Sequence, residues 1–91
     1  MADTGSKTKF INGKIYALKE NAGELKGRTF QEEVIPLNPK DLVKCVDPEY
    51  ARGRTLFEVI RRNGKDSERI ILVSFATAEA EECMILDVNR E

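Results

Sequence analysis

The chain has 91 residues, 41% hydrophobic and 34% charged, with 15 Lys or Arg against 16 Asp or Glu. That composition describes one globular domain rather than a disordered chain, and a domain this short buries only about 60–65% of its unfolded surface. A net charge of −1 lacks the basic excess of a nucleic-acid binder, and the absence of histidine removes His acid–base chemistry and His-ligated metals. The charge is uneven. Residues 1–45 hold eight Lys or Arg and six Asp or Glu; residues 46–91 hold seven and ten.

Residues 1–9, "MADTGSKTK", have no apolar stretch of the kind a secretory leader needs. They are predicted to be a disordered start, with a single small domain over residues 10–91. "FINGKIYAL" (10–18) reads as a strand interrupted at Asn12-Gly13. "KENAGELKGR" (19–28) reads as a loop marked by Gly23 and Gly27. "TFQEEVIPL" (29–37) is predicted to be the second strand, with Phe30, Val34 and Ile35 as its apolar members. Pro36 and Pro39 bracket Asn38, so this connection is no central strand. "DLVKCVD" (41–47) is a short third strand and "PEYARGR" (48–54) a loop.

"TLFEVIRR" (55–62) alternates cleanly, Phe57 and Val59 on one face and Leu56 and Ile60 on the other. Asn63-Gly64 is the strongest hairpin signal in the chain. Its partner is "RIILVSF" (69–75), with Ile71, Val73 and Phe75 on one face. Phe57, Val59, Ile71, Val73 and Phe75 are the predicted core. Alanine and glutamate then favour a helix over 78–88, with Thr77 as N-cap and Met84 and Val88 facing the sheet. Cys83, Met84, Ile85 and Leu86 are wider than one helical stripe. Either that helix is buried on two sides or "CMILDV" is another strand. The predicted fold is α+β, mostly β: a small antiparallel sheet or partly open barrel of four to six strands with a C-terminal helix.

Cys45 and Cys83 sit in apolar stretches without a CxxC spacing, and read as reduced thiols of an intracellular, cytoplasmic protein. No phosphate-loop pattern, metal set or cofactor motif is present. Glu32-Glu33 and Glu81-Glu82 are adjacent pairs, unsuited to shared acid–base work. A non-enzymatic role is the expectation.

Two stretches carry a family resemblance. "VIPLNPKDLVKCVDPEYARGRTLFEVI" places Ile35 and Leu37, then Val43, a polar loop over 47–54, and Phe57-Glu58-Val59. "ILVSFATAEAEECMILDV" follows with a final strand, a hydroxyl residue and an acidic helix. Together they resemble a minimal or split pleckstrin-homology-type domain, with Met84 where that family carries a helix Trp. The resemblance implies a headgroup site built from Lys19, Lys26 and Arg28, followed by Phe30, with Lys14 added if it points the same way. The plain alternative is that these are solvated loop charges. Arg52, Arg54, Arg61, Arg62 and Lys65 read as structural charges offset by Glu58, Asp66 and Glu68.

The expected function is a binding or adaptor module recognising a protein partner or an anionic phosphoinositide headgroup, without nucleic acid. The alternative is a self-associating structural protein whose two-faced apolar sheet forms a homodimer or larger assembly.

Overall fold

The computed structural model describes residues 8–87. Its strands are β1 (Ile15–Leu18), β2 (Leu25–Arg28), β3 (Val34–Leu37), β4 (Leu42–Ala51), β5 (Arg54–Arg62), β6 (Lys65–Asp66), β7 (Leu72–Ala76) and β8 (Met84–Leu86), with one helix, α1 (Thr77–Cys83). All pairings are antiparallel, in the order β3-β2-β7-β5-β4-β1-β8, and β6 extends the β5 hairpin. The sheet is open, with β3 and β8 as its ends. Leu25 and Leu37 from one end nevertheless share one core cluster with Tyr16, Leu18 and Met84 from the other. Only a strongly curled sheet brings both ends onto one core.

The central hairpin follows its alternation. Thr55, Phe57 and Val59 are buried, and Phe57 lies opposite Val73 and Thr55 opposite Phe75. Asn63 (φ 56°) and Gly64 (φ 83°) both take positive φ, as a two-residue turn with the strands' own twist requires. Of the five predicted core residues four are buried, and Ile71 packs against them half-buried. Phe57 is the hub: the rings of Phe10, Phe75 and Tyr16 approach its centroid edge-on at 5.1, 5.7 and 6.3 Å.

Eight strands replace the expected four to six, for identifiable reasons. Residues 25–28, read as loop, form β2 because Leu25 and Gly27 face the core. A Cβ on Gly27 would sit 2.7 Å from Cε1 of Phe75, so glycine here makes room for a buried ring rather than a turn. Residues 48–51, also read as loop, extend β4 through register shifts that absorb Pro48. Conversely, 29–33 is a turn and not a strand. Thr29 Oγ1 accepts the amides of Gln31 and Glu33, the Thr29 amide donates to the Glu33 carbonyl, and Glu32 takes φ 64°. Residues 69–71 precede β7 rather than belonging to it. Pro36 lies in β3, an end strand, where a missing N–H is tolerated.

The helix is shorter than expected. It stops at Cys83, and Met84, Ile85 and Leu86 cross to pair with Leu18, Ala17 and Tyr16 of β1. Thr77 is its first residue, not its cap: the Thr77 hydroxyl shares a 2.8 Å bond with that of Thr55. Met84 is fully buried as expected, whereas Val88 lies outside the described residues. Thr8 and Lys9, counted in sequence with the disordered start, are docked. Thr8 Oγ1 donates to Glu81, and Lys9 Nζ donates to the carbonyls of Glu81 and Met84 at 2.6 and 2.9 Å, capping the helix end.

Asp41, 3% exposed, fastens two turns. Its carboxylate accepts the Asn38 amide at 2.9 Å and the Asn63 amide at 3.0 Å, joining the β3–β4 connection to the Asn63-Gly64 turn. Asp41→Ala removes both charge-assisted bonds. Because Asn38 and Asn63 are themselves exposed and their amides can turn to water, the expected destabilisation is about 1.5–3 kcal/mol, the value of one bond to a charged group rather than two. Urea denaturation measures this; a change below about 0.5 kcal/mol, typical of a surface site, would contradict the assignment.

Candidate functional site

β2 exposes what its inward residues require it to expose. With Leu25 and Gly27 inward, Lys26 and Arg28 point outward. Across the sheet, Arg28 lies opposite Ser74 and Arg54 opposite Ala76, so Arg28 and Arg54 flank β7 from either side. The Arg54 guanidinium is held in place: Nε donates to Ser74 Oγ at 3.0 Å and Nη2 to the Ser74 carbonyl at 2.8 Å. Lys26, Gly27, Arg28, Val34, Arg54, Ala76 and Glu79 line a shallow depression of about 350 Å³. Three of those side chains are cationic and one is acidic. Among the described residues, the Lys26 and Arg28 side chains have no hydrogen bond or ion pair.

The structure therefore divides the four predicted ligand residues. Lys26 and Arg28 lie together on the outward face. Lys14 and Lys19 lie at the two ends of β1, outside the depression, and β4, β5 and β7 stand between β1 and β2. The Lys14 carbonyl accepts the Cys45 amide and the Lys19 amide donates to the Cys83 carbonyl. Phe30, next in the predicted series, is 60% exposed on the β2–β3 turn, its ring 5.9 Å from that of Tyr50. Arg54 is the residue that sequence reasoning missed. Its only signal was parity: it shares the outward face of β5 with Leu56, Glu58 and Ile60. The charge assignment was apt at Arg61, which pairs with Asp66 at 3.0 Å.

Chemically, the depression offers an anion one fixed guanidinium and two mobile cations, a geometry for several charge-assisted hydrogen bonds. No group of three or more metal-ligating side chains occurs among the described residues. No described helix is long and apolar enough to cross a membrane.

Both cysteines are free, Cys45 buried and Cys83 half-buried, as expected. Burial, with a smaller effect from Asp47, pushes the Cys45 thiol up to about 11. At pH 8, iodoacetamide is expected to label Cys83 and spare Cys45 until the protein unfolds. A thiol raised in the folded state contributes stability that is present below pH 9 and lost as pH rises toward 11. The decline expected between those values is about 2 kcal/mol, and it should be absent from Cys45→Ala. Equal declines in both proteins would refute the assignment.

Comparison with protein-family models, with curated proteins and with solved structures returns no match to this chain.

Proposed function

We propose that this chain is a non-enzymatic binding module that takes a phosphate-bearing anion on the outward face of β2 and β5. The observation that supports it is the convergence of Lys26, Arg28 and Arg54 on one depression, with two of the three cations otherwise unengaged. The pleckstrin-homology-type resemblance points to the same ligand class. The proposed site keeps Lys26 and Arg28 from that resemblance and replaces Lys14 and Lys19 with Arg54.

Removing one cation from such a cluster loses a charge-assisted bond of about 1.5–3 kcal/mol, roughly a ten- to hundred-fold drop in affinity. Exposed contacts also weaken as salt rises. The experiment titrates soluble inositol phosphates and phosphoinositide-containing vesicles against wild type and a Lys26→Ala, Arg28→Ala variant. Binding of both ligands indicates recognition of the phosphates alone, and binding of vesicles only indicates a lipid surface. No binding by wild type at high micromolar ligand, or equal binding by the variant, refutes the site.

A second reading, self-association, has its own observation. The sequence motive was a second apolar face, yet outward-facing Leu56 is only 6% exposed within one chain. Exposed apolar side chains include Ile70 of that second face, at 76%, and those of the end strands: Val34 of β3 at 54%, and Ile85 and Leu86 of β8 at 50% and 39%. An open strand edge of this kind is a pairing template. A constant monomer mass by light scattering across a concentration series would remove this reading.

A further inference from the structure

β7 has two unlike neighbours. It pairs with β5 at five positions, from Arg54–Ala76 to Glu58–Leu72, but meets β2 at one, Arg28–Ser74. On the N-terminal side of Ser74 the two strands part, because β2 gives way to the self-bonded 29–33 turn. The Val59 amide donates to the Ile71 carbonyl at 2.9 Å, so Ile71 and Val73 direct their backbone groups toward β5. By the alternation of an antiparallel ladder, the N–H and C=O of Leu72 face the other way, where no strand residue is paired with them.

The gap is a cleft of about 420 Å³, within the 300–1,000 Å³ range of ligand sites. Phe30, Ile35, Ile70, Ile71 and Leu72 supply its apolar lining. Ile70 is 76% and Phe30 60% exposed, the highest values among the exposed large hydrophobic residues described. Isolated exposed apolar residues are ordinary, but two exposed side chains, Phe30 and Ile70, set over the half-buried Ile35, Ile71 and Leu72 in one cleft make a recognition surface. Arg69 and Glu33 also line it, and neither side chain has an ion pair or hydrogen bond among the described residues. The cleft thus offers apolar contacts, the outward-facing backbone N–H and C=O of Leu72, and two opposite charges.

We infer that this cleft docks an extended segment of a partner protein, added as a short strand beside Leu72. Its alternate apolar side chains enter between Phe30, Ile35 and Ile70, with a carboxylate set against Arg69 and a cation against Glu33. Backbone bonds to Leu72 supply affinity, and the apolar and charged contacts supply selectivity. This site is separate from the cationic depression, which shares none of its lining residues.

The test is selection of a displayed library of random ten-residue peptides on the immobilised full chain. A synthetic copy of the most enriched peptide is then titrated into isotope-labelled protein. Enriched peptides are expected to alternate apolar residues between one acidic and one basic flank, and to shift the amide resonances of residues 70–73. Ile70→Lys, at a position too exposed to affect folding, should weaken binding at least about ten-fold, as loss of an anchoring contact does. Arg69→Glu should reverse the preferred charge at its flank, while Lys26→Ala with Arg28→Ala should leave peptide affinity unchanged. Failure to enrich, affinity unaffected by Ile70→Lys, or resonance shifts confined to other strands would each overturn the inference. So would concentration-dependent dimerisation through the same residues, which would assign the cleft to a second copy of the chain.

Discussion

Phe57→Ala is expected to destabilise the domain by about 3–5 kcal/mol, the usual loss for truncating a large buried ring. Phe57 is fully buried and receives the edges of three other rings, from Phe10, Tyr16 and Phe75. Those rings come from the N-terminal arm, β1 and β7, so no single element can collapse to fill the space. It also lies between Cys45 of β4 and Val73 of β7, at the middle of the curled sheet. A small domain has about 5 kcal/mol of net stability, so the variant should lose most of its cooperative transition. Urea and thermal denaturation followed by circular dichroism measure this, with Ile70→Ala as an exposed control. A variant melting within a few degrees of wild type would show that Phe57 is not the hub.

Deleting everything after Thr77 is expected to have the larger effect. It removes Ala80 and Met84 from the core, both fully buried. It strips β8 from β1 and leaves the backbone of Tyr16, Ala17 and Leu18 as an open edge. It also removes Glu81, which holds Thr8 and Lys9 and thereby the arm carrying Phe10 into the core. The truncated chain should aggregate and bind a hydrophobic dye, with no cooperative melting transition. A soluble, cooperatively folding fragment would show residues 78–91 to be an accessory tail.

The elements differ in how far local chemistry dictates them. The β5–β7 hairpin was legible because alternation, β-branched residues and Asn63-Gly64 all agree. β2 was not, since Leu-Lys-Gly-Arg has no strand preference of its own. Its glycine makes sense only once the Phe75 ring is known to lie over it. The second half of β4 hid behind Pro48 and irregular register. At the C-terminus, alanine and glutamate favoured helix, while the apolar run Cys83–Leu86 left a strand open as the alternative. Met84, Ile85 and Leu86 form that strand because the free edge of β1 lies within reach. The candidate site divides in the same way. Lys26 and Arg28 share a face by simple i, i+2 spacing, whereas Arg54 joins them only through the sheet order β2-β7-β5.

Fastening the N-terminal arm to the last elements of the sheet has a kinetic consequence. Thr8 and Glu81 are 73 residues apart in the chain, and β1 pairs on one side with β4 and on the other with β8. Contacts this distant in sequence carry a large loop-closure entropy and slow folding relative to chains rich in local contacts. A chain growing from the ribosome can form the β2–β3 and β4–β5 hairpins early. Its β1 edge stays open, and Lys9 has no helix-end carbonyls to cap, until Met84 has emerged. The outer edge of β1 is thus the last to close and the segment most exposed to mispairing during synthesis.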